Sequence, residues 1–556
     1  MKGMSVLCFC VVLLGFTLSL LAQTPQWDWA VSAGGTGDDS GWSIAIDSQG
    51  NQYVTGSFYN TASFGTYTLT SNGSFDVFAA KLDTDGNWLW AVSAGGTGLD
   101  ESRGIALDPA GNAFLTGYFS GTASFGTHTL TSNGNEDVFA AKLDPDGNWL
   151  WAVSAGGISQ DSGSSIAVDP AGNVFLTGFF DTTASFGTYT LTSNGSTDAF
   201  AAKLDTDGNW LWAVSAGGPV NDYCSSIAID SQGNQYVTGL FRYTVSFGTH
   251  SLTANGSYDV FVAKLDPNGN WLWAVRAGGS DADYGISIAL DPAGNACLIG
   301  YFEGTAWFGT HTLTSNGGYD VFAAKLGASG NWLWAVNAGG SNHDWGHSIA
   351  LDPAGNAFLT GSFTGLASFG THTITSSGGN DIFAAKLDPD GNWLWAMRAG
   401  GLDWDIGNSI AVDPAGNACL TGYFEGTASY GAHTLTSNGG WDIFVARINS
   451  GTPVDDELHT PAASLALSAS PNPFSISTAI KVVGDKPEHL SGNYVMDIFD
   501  LRGRKIRSLA LDAISGVVSQ SWDGRDDKGL ICPNGIYLAR LELGGRRATL
   551  KLSLVK

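Results

Sequence analysis

The segment W-A-V-x-A-G-G begins at Trp29, Trp90, Trp151, Trp212, Trp273, Trp334 and Trp395, always 61 residues apart, with Met397 standing for the valine in the last copy. A second landmark, D-x-F-x-A-[KR], keeps the same interval from Asp76 through Asp137, Asp198, Asp259, Asp320 and Asp381 to Asp442. Seven equal units without drift limit the fold to a repeat architecture, because one such unit is too small to enclose a core and must bury its apolar surface against its neighbours.

Each unit reads as four strands. Residues 104–108 (G-I-A-L-D) alternate in strand fashion, turn at Pro109-Ala110-Gly111-Asn112, and continue into a second strand over 113–119. A longer connection, 122–134, leads to a third strand over 137–143, the turn Asp144-Pro145-Asp146-Gly147-Asn148, and a fourth strand over 149–154. Glycine supplies 76 of 556 residues and only 14% are charged, which suits short strands closed by tight turns better than amphipathic helices. The chain is therefore expected to be all-β: a seven-bladed propeller with almost no helix. The last unit ends at its third strand, 442–449, and its missing fourth strand stands at the other end of the array, over 27–33. Pairing the two would close the ring and leave no open sheet edge at the seam.

The pattern I-A-x-D-x-x-G-N-x-[YF]-x-T-G, then D-x-F-x-A-K-L-D, then W and G-G, resembles the bacterial seven-bladed β-propeller repeat family over about residues 27–450. Local departures are Ile299 for the threonine of T-G, Tyr430 for the recurrent phenylalanine and Gly327 for the aspartate after K-L. The resemblance implies a fold and is silent on ligand and activity.

The flanks carry other signals. Residues 1–22 read as a secretory signal, with Lys2, an apolar run over 6–21 and Ala22 before a polar stretch. No later segment resembles a membrane span, so the mature chain is expected to lack one. The cysteines beyond the signal, Cys224, Cys297, Cys419 and Cys532, are too scattered for a disulfide framework and read as separate packed thiols. The domain reading is thus a signal peptide over 1–22, the propeller over 23–450, an acidic linker over 451–464 and a small β-sandwich over 465–556.

Charge separates the two domains. Residues 23–464 hold 42 acidic and 11 basic side chains, whereas 465–556 hold 9 acidic and 13 basic. So acidic a propeller repels nucleic acid. The tail carries P-N-P-F (471–474), V-M-D-I-F-D-L-R-G-R-K-I-R-S-L (495–509), W-D-G-R-D-D-K-G (522–529) and N-G-I-Y-L-A-R-L (534–541). Alternating strands between glycine turns point to an immunoglobulin-like sandwich. These motifs together resemble the C-terminal type A sorting domain of the type IX secretion system. That resemblance implies partnership with the type IX machinery, export across an outer membrane, and attachment to the cell surface or release.

Several repeated residues invite a chemical reading. The turn D-x-D-G-N at Asp83, Asp144, Asp205 and Asp388, varied at Asp266, is similar to a calcium loop, but its glycine falls at the fourth place and the distal glutamate is missing, so a bulged hairpin turn is the better reading. His128, His250, His311, His372 and His433 share one repeat position with Tyr67 and Tyr189; standing a blade apart, they cannot meet on one zinc ion. The tryptophan pairs such as Trp88/Trp90 and Trp149/Trp151 lie two residues apart, on one strand face, and could stack on sugars or pack between blades, packing being preferred.

An aspartate follows each W-A-V tryptophan by ten residues: Asp39, Asp100, Asp161, Asp222, Asp283, Asp344 and Asp405. Its loop varies freely, while the opposite face keeps fixed turns. Each aspartate either pins its own loop through backbone N–H groups or contributes to a ligand site. The nearby Trp42, Tyr223, Tyr284, Trp345 and Trp404 are poorly explained as solvated loop residues and form, with the aspartates, the candidate ligand-binding set. No catalytic constellation, cofactor motif or metal cluster emerges. The sequence thus reads as a secreted or cell-surface binding or adhesion module for a glycan or surface protein. The alternative is an extracellular polysaccharide hydrolase or lyase working on the variable-loop face.

Overall fold

The computed structural model describes residues 25–449 and, in the tail, 466–470, 472, 474–483, 494–500, 504–511, 513–514, 517–543 and 546–555. The signal-like segment 1–22 and the linker 451–464 lie outside the described residues. Among the described residues every regular element is a strand, and no helix is long and apolar enough to cross a membrane. The chain divides into two compact units between Pro453 and Val454.

In the second repeat, Asp100–Leu107, Ala113–Phe125, His128–Leu143 and Trp149–Ala155 pair in antiparallel order. The third strand is central and buried on both faces, which is why D-V-F-A-A-K-L reads as an apolar run rather than an alternation. Phe139 and Ala141 pack with Tyr53 and Val77 of the unit before, whereas Val138 and Ala140 pack with Leu176 and Phe180 of the unit after. The cores therefore lie between units, as a 61-residue repeat requires.

The connection expected over 122–134 is itself a β-hairpin, with Thr122 opposite Thr131 and Phe125 opposite His128. It reaches back to the preceding unit, where Gly95 pairs with Ser124 and Gly96 with Ala123. Equivalent glycine-to-hairpin pairings occur at all seven junctions. They explain the G-G of the repeat: a Cβ on Gly96 would lie 1.8 Å from the Thr122 carbonyl oxygen, so only glycine permits the approach.

The two ends of the array pair directly. Gln26–Gly35 runs antiparallel to Asp442–Asn449, with Ala30 opposite Ala446 and Ala33 opposite Ile443. Residues from both ends, among them Ile44, Phe58, Cys419 and Ile443, form one apolar cluster.

The turns and tryptophans take structural roles. Asp144 Oδ1 accepts the N–H groups of Asp146 and Asn148, and Oδ2 accepts the Asn148 side-chain amide, so the carboxylate serves its own turn. The tryptophan pair does not share one surface as simple alternation predicts. Lys81 pairs with Trp90 and Leu82 with Trp88, so Leu89 is bulged between them. Trp88 packs edge-on against Phe64 of its own unit, while the Trp90 indole N–H donates to the Pro145 carbonyl of the next. Only the second tryptophan of the pair thus hydrogen-bonds to the following unit.

The described residues of the tail form two four-stranded antiparallel sheets. Trp522 is fully buried between Phe474 and Tyr537, at centroid distances of 5.5 and 5.0 Å. Asn472 donates to the Lys551 carbonyl and accepts the Ser553 N–H. Residues of three of the sequence motifs thereby meet in or beside one small core. The four cysteines among the described residues, Cys224, Cys297, Cys419 and Cys532, are buried and not joined by disulfides.

Candidate ligand-binding mouth

The first strand of every unit carries a β-bulge against the second. The register slips between Gly41 and Ser43 in the first unit, and at the corresponding place in each of the other six. A bulged residue is left out of the pairing and its side chain is re-aimed. Here these residues are Trp42, Arg103, Ser164, Ser225, Ile286, His347 and Asn408, different in nearly every unit of an otherwise uniform repeat. All seven line two adjoining cavities of about 440 and 540 Å³ that share Ile286.

Three further variable positions open onto the same mouth. The strand position two residues before the bulge contributes Ser162, Tyr223, Trp345 and Ile406; the loop before it contributes Gln160 and Trp404. The second strand contributes Tyr118, Phe179, Tyr301, Ser362 and Tyr423. Of the aromatic residues singled out from sequence, Trp42, Trp345 and Trp404 are brought together in the larger cavity and Tyr223 lines the smaller. Tyr284 stands behind the lining, stacked on Tyr301 at 4.7 Å. Sequence reading missed Tyr118, Phe179, Tyr301 and Tyr423. Their signal is the unrestrained middle residue of G-x-F in a strand whose other positions hardly change.

The lining rings are braced from behind. His343 stacks on Trp345 at 5.6 Å and Trp441 on Tyr423 at 4.8 Å. The Arg103 guanidinium lies 4.0 Å from the Trp42 ring centroid and 2.7 Å from a Glu101 carboxylate oxygen. His347 Nδ1 is 3.0 Å from the Gly407 carbonyl, and burial lowers the imidazole pKa, favouring the neutral ring.

The seven candidate aspartates are not part of this lining. Asp39, Asp100, Asp161, Asp222, Asp283, Asp344 and Asp405 are buried beneath it. Each accepts the N–H of the second G-G glycine four residues earlier, at 2.6–2.8 Å. Asp39, Asp100, Asp161, Asp222 and Asp344 also accept a backbone N–H twenty residues on. Ligand contact thus gives way to pinning: the carboxylates close the loop and brace the second strand. Beside each lies the buried aspartate of D-x-F, as Asp442 beside Asp39, with the first glycine of G-G between them. A Cβ on Gly34 would lie 2.6 Å from Asp442 Oδ1 and 2.9 Å from Asp39 Oδ2. Burial, reinforced by the neighbouring carboxylate, pushes Asp39, Asp100, Asp161, Asp222, Asp344 and Asp405 up to about 7 and Asp283 up to about 8.

The opposite, constant face holds a cavity of about 760 Å³ where turns of five units converge. Its aspartates are engaged by their own turns and by basic side chains, as Asp291 is by Lys325 at 3.0 Å and Asp413 by Arg447 at 2.9 Å. The hairpin histidines do not assemble a site, and among the described residues no group of three or more His, Cys, Asp or Glu side chains could hold a metal ion.

A β-propeller repeat family model matches residues 326–365. The chain is 24% identical over 500 residues to an uncharacterized WD repeat-containing protein of Acanthamoeba polyphaga mimivirus, covering 71% of this chain and 36% of that one. It is 25% identical over 352 residues to regulatory protein FlaEY of Caulobacter vibrioides, covering 58% and 36%. The chain thus spans little more than a third of the length of these curated relatives. Among solved structures, PorZ, an essential bacterial surface component of the type-IX secretion system of Porphyromonas gingivalis, is similar with a TM-score of 0.39 and 14% identity, over 94% of this chain and 60% of that one. YCF48 bound to D1 peptide gives 0.35 and 10%, over 78% and 98%. Among the described residues the chain is all-β, and one stretch of its 61-residue repeat array carries the β-propeller repeat match.

Proposed function

We propose that this chain is a secreted or cell-surface binding module: a seven-bladed propeller closed by its own N-terminal strand, which displays a ligand-binding mouth on its variable face. The observation that carries the reading is the convergence of all seven bulged side chains on that mouth. A repeat that holds its core, turns and junctions nearly constant while varying the residues at one opening has the form of a scaffold that presents a recognition surface. Closure is supported by the pairing of Gln26–Gly35 with Asp442–Asn449 and by the contribution of every unit to one opening.

The tail is, on this reading, an immunoglobulin-like sorting sandwich that hands the protein to the type IX machinery. In support, Phe474, Trp522 and Tyr537, which come from three of its sequence motifs, share one core. Binding by the mouth is tested with a glycan array and a surface-protein pull-down using the full chain and a variant carrying Trp345→Ala and Trp404→Ala. A partner lost with the double variant supports the reading, and a partner retained in full refutes the mouth as its site.

A further inference from the structure

The two cavities meet at Ile286 and make one trough with two unlike halves. Trp42, Tyr301, Trp345, Trp404 and Tyr423 give one half ring faces. Hydroxyl and amide groups of Gln160, Ser162, Ser164 and Ser225 give the other half donors and acceptors beside Tyr118, Phe179 and Tyr223.

The trough carries little free charge. Arg103 is the one Lys, Arg, Asp or Glu side chain among the lining residues, and Glu101 neutralises it. This lining sits in a domain, residues 23–450, where acidic residues outnumber basic ones by 39 to 11. An anionic ligand would meet repulsion from the domain and no unpaired cation in the trough. A cationic ligand would be drawn to the domain, yet no carboxylate lines the trough to receive it. A flat protein surface is also a poor match, since a stable interface needs about 800 Å² from each partner and this opening is a concave trough.

A neutral sugar chain meets each condition. The C–H face of a pyranose lies against an aromatic ring, and its hydroxyl rim both donates and accepts hydrogen bonds. The bracing of Trp345 by His343, of Tyr423 by Trp441 and of Tyr301 by Tyr284 keeps these rings in place before a ligand arrives, which lowers the entropic cost of binding. Resting on the binding reading above, we propose that the mouth takes an uncharged polysaccharide chain, seated with sugar faces on the Trp345–Trp404 side and hydroxyls on the serine side.

The test is calorimetric titration of the full chain with a panel of neutral hexasaccharides (cello-, manno-, xylo- and laminari-), with hexagalacturonate and with hexalysine. At least one neutral oligosaccharide is expected to bind, with affinity changing less than about twofold between roughly 0.05 and 0.5 M salt. Trp345→Ala and Trp404→Ala should each lower that affinity about tenfold, the scale of one lost ring contact, and the exposed Trp404→Ala should do so without changing the thermal melt. Failure of every neutral probe overturns the proposal, as does tighter binding of galacturonate or lysine oligomers that is lost with the same variants. In that second case the mouth survives as a binding site with a different ligand. Neutral-sugar binding untouched by either variant sinks the mouth reading itself.

Discussion

The Ser409 hydroxyl accepts the backbone N–H of Ile44 at 3.3 Å, although 365 residues separate them in the chain. The same bond joins Ser226 to Ile288 and Ser348 to Ile410 at a separation of 62. The contact between the first and last units therefore repeats the one between consecutive units, and the seam should share the load that other junctions carry.

Trp27 provides the sharpest test of the seam. Its ring meets Tyr430 edge-on at 5.4 Å, and its indole N–H donates to the Arg398 carbonyl at 3.2 Å. Trp27→Ala should cost about 3–5 kcal/mol, as for other buried tryptophans, read as a lower urea midpoint. Removing residues 23–35 should go further, exposing the edge of Asp442–Asn449 and raising light scattering. A truncated chain that melts like the whole protein would show the seam to be dispensable.

The buried carboxylate pairs make an unusual pH dependence. A carboxyl whose folded pKa is raised holds its proton in the native state when the unfolded chain has lost it, so stability falls as pH rises from the unfolded to the folded value. For Asp39 this window runs from 3.8 to about 7, for Asp283 to about 8 and for Asp442 to about 6. The propeller should therefore melt at a higher temperature at pH 5 than at pH 8. Asp442→Asn, which removes one charge from one pair, should reduce that difference. Equal melting at the two values would mean that the pairs are ionised without cost.

Two classes of tryptophan should respond differently to truncation. Trp404 is 53% exposed, so Trp404→Ala should stay within about 0.5 kcal/mol of the parent stability. Trp151 is half-buried and donates to the Thr206 carbonyl of the next unit. Trp151→Ala should cost less than the roughly 3–5 kcal/mol of a fully enclosed tryptophan but clearly more than Trp404→Ala. Chemical denaturation curves for the two variants decide the order.

The sorting role of the tail is tested in a host carrying the type IX machinery. A chain ending at Ser464 is expected to fold as a propeller, give the same ligand binding and accumulate in the periplasm. Arrival at the cell surface in normal amounts would remove the sorting hypothesis.

Much of this architecture was legible in the repeat. The interval of 61 residues, the tight turns and the stray W-A-V strand at residues 29–31 lead to the unit, its strands and the seam. Less legible was anything that depends on a bulge. Strict alternation assigns Trp88 and Trp90 to one surface and gives no reason for Trp42, Tyr223 and Trp404, from three different repeat positions, to share one opening. One extra residue in the strand overrides the period of two, and no single side chain announces it. The hairpin over 122–134 was hidden for another reason: its T-A-S-F and T-L-T segments are short, and their pairing with the previous unit's glycines is a tertiary contact. The aspartates showed their spacing but not their depth, so pinning and ligand contact stayed open until burial decided between them.

The strand Gln26–Gly35 is made before Asp442–Asn449 and must wait for it, more than 400 residues, to find its partner. Each other junction can form as soon as the next unit exists, while this one bears the loop-closure entropy of the whole array. Pairing of these two strands is thus the natural last event of folding, and every nascent or clipped chain carries an unpaired strand until it happens. The same pairing acts as a lock: opening the array at the seam gives up an entire strand pairing at once, so resistance to unfolding should depend more on how slowly that pairing releases than on the stability of any single unit.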